Sequence, residues 1–86
     1  MENKVVVIGD EFDSVLLTRL LRCVESLGGV LFDPPSYLVG GSQESHTWRY
    51  KIASEIVTIE TETYIGLSLH GSANVVDRIL GQIQAG

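Results

Sequence analysis

The sequence predicts one α+β domain, a two-layer α/β sandwich with a mainly antiparallel sheet and two helices on one face. Three observations predict it. The 86 residues allow a single hydrophobic core and no more. Two stretches, residues 14–27 and 73–83, place apolar residues at helical spacing. The residues between them alternate apolar and polar side chains in runs separated by Gly, Pro and Ser. The expected order is β-α-β-β-β(-β)-α within one domain, residues 1–86, related to a ferredoxin-like arrangement that lacks a last strand.

Val5-Val6-Val7-Ile8 is a continuous β-branched run closed by Gly9, which reads as a central strand buried on both faces. Asp10-Glu11-Phe12-Asp13-Ser14 follows as a turn, with Asp13 the expected N-cap of a helix over 14–27. Leu16, Leu17, Leu20, Leu21, Val24 and Leu27 form its apolar stripe, and Gly28-Gly29 ends it by supplying a left-handed residue. Val30-Leu31-Phe32 reads as a short strand, expected to lie parallel beside the first through a right-handed crossover. Asp33-Pro34-Pro35-Ser36 interrupts it, so that it either lies at a sheet edge or stops there. Tyr37-Leu38-Val39 resumes a strand, and residues 40–45 read as a loop, so that 33–45 is the longest candidate for a functional loop.

From His46 to Ala53 the side chains alternate, with His46, Trp48, Tyr50 and Ile52 on one face and Thr47, Arg49 and Lys51 on the other. Residues 55–70 keep a single parity from Val57 to Leu69. One straight strand of that length would span roughly 50 Å, too long for this domain. It must bend, turn back near Glu60-Thr61-Glu62-Thr63, or cross to a second subunit, with Gly66 a candidate bulge. Ser72 is the expected N-cap of the last helix, whose stripe is Val75, Val76, Ile79, Leu80 and Ile83.

Charged residues make up only 20% of the chain and apolar residues 44%, which excludes a disordered, highly charged polymer. The net charge is −5 and there is no basic run, so nucleic acid and anionic membrane surfaces are not expected partners. No apolar stretch has a spanning length, and Met1-Glu2-Asn3-Lys4 lacks the basic region of a signal peptide. Cys23 is the sole cysteine, which rules out an intrachain disulfide and suits a reducing cytoplasm. A mean hydropathy of +0.20 is high for so small a chain, and burial of the surplus between subunits predicts a homodimer or higher oligomer.

Candidate chemistry is sparse. Asp10, Glu11 and Asp13 cluster after a strand and at a helix start, where they read first as capping acids and otherwise as weak candidates for a hard cation. Val5 to Glu11, Val-Val-Val-Ile-Gly-Asp-Glu, resembles the amino terminus of the F subunit of V-type ATPases over one strand and turn. The alternating strands from His46 onward depart from that family, and no site residue is carried over from it. His46 and His70, the two histidines, could meet across a sheet as a metal or acid–base pair, although no ligand spacing demands it. Cys23 borders the apolar stripe of its helix and reads as a small hydrophobe.

Trp48, Arg49 and Tyr50 are residue types enriched at binding hot spots, against the alternative that the two aromatics belong to the core. The expected ligand- or partner-binding residues are therefore Tyr37, His46, Trp48 and Tyr50, with Asp33 adding a polar contact from the loop. No P-loop, dinucleotide fingerprint or nucleophile elbow is present, and no cofactor is expected. The sequence points to a small non-enzymatic binding or regulatory module that works as a homo-oligomer. The alternatives are an acidic inhibitor or adaptor that binds another protein, of phage or mobile-element type, and a small metal-dependent enzyme.

Overall fold

A computed structural model describes residues 3–10, 12–31, 36–40 and 43–85. Its elements are β1 (Asn3–Gly9), α1 (Ser14–Ser26), β2 (Val30–Leu31), β3 (Ser36–Gly40), β4 (Gln43–Ile52), β5 (Glu55–Glu62), β6 (Gly66–Ser72) and α2 (Ala73–Ala85). Six antiparallel strands form one sheet in the order β1-β6-β5-β4-β2, with β3 also paired to β4. Leu20 and Val24 of α1 and Val75, Val76 and Ile79 of α2 meet Tyr50, Ile52, Val57, Ile59, Leu67 and Leu69 of the sheet in one buried core. This is the two-layer α/β sandwich that the alternation and the two helical stripes require.

α1 begins and ends where its capping residues dictate. The Asp13 carboxylate accepts from the Leu16 amide at 2.9 Å, satisfying one of the first-turn donors. At the other end Gly28 takes φ +90°. The Gly29 amide donates to the Val24 carbonyl at 3.0 Å and the Gly28 amide to the Glu25 carbonyl at 3.0 Å, the paired closure of a left-handed helix stop. At the start of α2 the Val75 amide donates to Ser72 Oγ at 3.4 Å.

Three expectations are corrected. β1 is not a central strand. It lies at the end of the sheet, pairs only β6 among the described strands, and leaves Val5 62% and Val7 54% exposed. A β-branched run satisfies strand geometry wherever it sits, and only Val6 and Ile8 turn to the core. Nor is β2 a neighbour of β1. It pairs β4 antiparallel at the far end, with three strands between it and β1, so no crossover joins adjacent parallel strands. Residues 40–45 are not an open loop. Gly40 pairs Gln43 and Val39 pairs Glu44, so β3 and β4 form a hairpin that uses most of the stretch. Of the expected functional loop, 36–40 and 43–45 are strand, and Asp33 lies outside the described residues.

The long run 55–70 turns back. Glu62 pairs Gly66, and the Ile65 amide donates to the Glu62 carbonyl at 3.1 Å. Tyr64 sits in the turn at φ 70° and Gly66 follows at φ +113°. A Cβ at Gly66 would lie 2.4 Å from the Gly9 carbonyl oxygen, so glycine there allows both the backbone angle and the approach of β1. The register of β1 on β6 shifts between Val7 and Gly9 at the same point.

Candidate functional site

Alternate residues of a strand point to opposite sides of its sheet, and on β4 the side of Tyr50 and Ile52 is the side of the helices. Tyr50 is 4% exposed, and its hydroxyl donates to Glu25 Oε2 of α1 at 3.2 Å. Burial raises its pKa above the ordinary tyrosine value, and the negative charge and hydrogen bond of Glu25 push the same way. Its ring therefore contributes to the core and offers no face to a ligand. Trp48 is half-buried against the core, and its ring stacks with that of His46 at a centroid distance of 6.1 Å and an interplanar angle of 17°. Tyr37 pairs with His46 through the backbone, and its side chain lies outside the described residues. The aromatic strand thus brings together His46 and Trp48 as a partly accessible pair and withdraws Tyr50.

The acids at the start of α1 serve the backbone. Asp13 caps the helix, and the Asp10 carboxylate accepts from the Phe12 amide at 2.9 Å in a local turn. Glu11 lies outside the described residues. Among the described residues no three His, Cys, Asp or Glu side chains gather as a metal-holding group. The two histidines do not meet. His46 is on the helix side of β4, whereas His70 shares the other side of the sheet with Val5 and Thr58. Cys23 lies part-buried with its sulfur 3.4 Å from Gln82 Oε1. Burial pushes its thiol upward in pKa, the opposite of what a nucleophilic cysteine needs.

A groove that the sequence reading missed opens on the side of the sheet away from the helices. The β5–β6 ladder stops at Thr58 and His70, while β6 continues along β1 until Ser72 pairs Asn3. The strands diverge there and leave a concavity of about 570 Å³ lined by Asn3, Val5, Ile56, Thr58, His70 and Ser72 among others. It joins an imidazole, hydroxyls, an amide and two aliphatic side chains, with Lys4 and Glu55 also on its lining, a set suited to orienting a small polar ligand. Three distant segments build it, so no local motif marks it. The nearest signal in the sequence is the parity that turns Ser68 and His70 away from Leu67 and Leu69.

His70 Nε2 lies 3.0 Å from Ser68 Oγ, the spacing of a nucleophile and its base. Ser68, however, is 4% exposed and its hydroxyl also reaches the Glu60 carbonyl at 3.4 Å. A buried hydroxyl has no space for an acyl or phosphoryl group, so the pair orients the imidazole rather than attacking a substrate.

No family model, curated protein or solved structure matches the chain.

Proposed function

We propose that the chain is a small non-enzymatic binding or regulatory module that acts as a homo-oligomer. One observation carries the reading. Among the described residues eight large apolar side chains are more than half exposed, and six of them, Val5, Val7, Phe12, Val15, Tyr64 and Ile65, lie along β1, between it and the start of α1, and in the turn before β6, with Val30 and Ile56 elsewhere. Apolar side chains concentrated in this way in so small a chain mark a surface that is covered in the working state. The groove near His70 and the His46–Trp48 pair are the two places where such an assembly would take a ligand. The ordinary alternative is an acidic adaptor for another protein, supported by the net charge of −5 alone. A single free cysteine agrees with a cytoplasmic setting, and no described helix is long and apolar enough to cross a membrane.

Sedimentation velocity at micromolar concentration tests the proposal. The expected species has at least twice the 9.4 kDa mass of the chain. A 9.4 kDa monomer persisting to high micromolar concentration removes the reading, and a pull-down with the chain as bait then tests the adaptor.

A further inference from the structure

The two ends of the sheet are built differently. At one end β4 is flanked by two short strands, β2 of two residues and β3 of five. Short edge strands offer little backbone for a further strand to pair with. At the other end β1 runs for seven residues without proline and pairs no described strand on its outer side. Its only charged residue, Lys4, is turned to the helix side, where its ammonium meets Asp77 Oδ1 at 2.7 Å. Toward the open side of the sheet β1 presents Asn3, Val5 and Val7. A protein that is to remain single blunts such an edge with charge, proline or a covering loop.

We infer that the outer edge of β1 pairs antiparallel with β1 of a second copy of this chain, forming one continuous sheet across a two-fold axis near Val6. This rests on the homo-oligomer reading and names its surface. An antiparallel strand pair about a two-fold normal to the sheet is self-complementary. It satisfies the outer amides and carbonyls of both edges and keeps both helix layers on one side. It also brings Val5 and Val7 of the two copies into one apolar stripe.

Phe12, 81% exposed, stands three residues beyond the end of β1. On the scale of about 200 Å² per aromatic side chain, its ring adds about 160 Å² to the exposed Val5 and Val7 toward the about 800 Å² that each partner gives a standard interface. Stacking two open sheet faces is the competing geometry. It would bury Arg49, Lys51 and Glu60, which share that face, and burying charges is costly. Edge pairing leaves them in water.

The test uses the intact protein and its Val5→Lys/Val7→Lys double variant, with Val30→Lys as control because Val30 is equally exposed at the opposite edge. Sedimentation equilibrium is expected to give twice 9.4 kDa for the intact chain and for the control. The double variant should dissociate at least a hundredfold more readily with an unchanged far-ultraviolet circular dichroism spectrum. Hydrogen exchange on the unmodified protein supplies a second readout, with amides of residues 5–7 slowing as protein concentration rises. A dimer that withstands the double substitution and shows no concentration-dependent protection in β1 overturns the edge pairing while leaving the homo-oligomer reading intact. An intact chain that sediments as a monomer overturns both.

Discussion

At the scale of single residues, backbone angles make the sharpest claims. Ala53 opens the two-residue turn between Ile52 and Glu55 with φ 54°, a region that disfavours any residue with a Cβ. Ala53→Gly is expected to raise stability by about 0.5–1 kcal/mol, relief of strain exceeding the added chain entropy of glycine. Urea unfolding measures it, and a loss of stability would show that the turn is unstrained. Gly66→Ala should do the reverse, because its new Cβ would meet the Gly9 carbonyl at 2.4 Å in a backbone conformation that alanine resists. A loss of at least 2 kcal/mol is expected, on the scale of other severe backbone and packing defects.

Protonation adds a pH dependence of known sign. Tyr50 has a folded pKa raised above the unfolded value of 10.0 by burial and by Glu25, so its neutral form favours folding. That stability is fully present below pH 10.0 and is lost as pH rises through the folded value. Cys23 acts in the same direction from its own unfolded value of 9.0. Melting temperatures should therefore fall on the alkaline side, and Tyr50→Phe should lessen the fall. A Tyr50→Phe variant with an unchanged alkaline limb would assign the effect to other groups.

At the scale of elements, what the sequence made legible was periodicity with punctuation. α1 was readable because its leucines recur at helical spacing and because Asp13 and Gly28-Gly29 bracket them with capping chemistry. Asp13→Ala is expected to cost about 1 kcal/mol through the lost cap, read from the urea midpoint. The position of an element in its sheet was not readable in the same way. Val5 to Ile8 specifies a strand, but its place at an edge depends on β6, some sixty residues away, pairing it on one side only.

Residues 40–45 misled for a related reason. Their glycine and serine content marks a turn, while the pairing of Leu38 with Ser45 that extends both strands to that turn is set by β3 and β4 together. The candidate site divides along the same line. The shared face of His46 and Trp48 follows from strand alternation, whereas the burial of Tyr50 depends on α1 crossing above it and the groove at His70 on β5 parting from the β6–β1 pair. His46→Ala should uncover Trp48, the sole tryptophan, giving a red shift and stronger iodide quenching. Unchanged emission would place the indole wholly within the core.

At the scale of the whole molecule, the described helices lie on one side of the sheet. Helices cover the face built from Tyr50, Val57, Ile59, Leu67 and Leu69, and the opposite face and the β1 edge meet solvent with Val5, Val7 and Ile56 exposed. A domain of this size has little core to spare for stability, so association through that surface would reach beyond binding and contribute to folding itself. Mass action then makes stability depend on concentration, because unfolding of a dimer yields two chains. With an unfolding enthalpy of about 0.7 kcal/mol per residue in each of two chains, each tenfold rise in protein concentration should raise the melting temperature by about 4 °C. Calorimetric scans across a hundredfold range are expected to show about twice that rise. A melting temperature that stays constant over the range means that the folded unit is the single chain, and the exposed valines must then answer to a partner of a different kind.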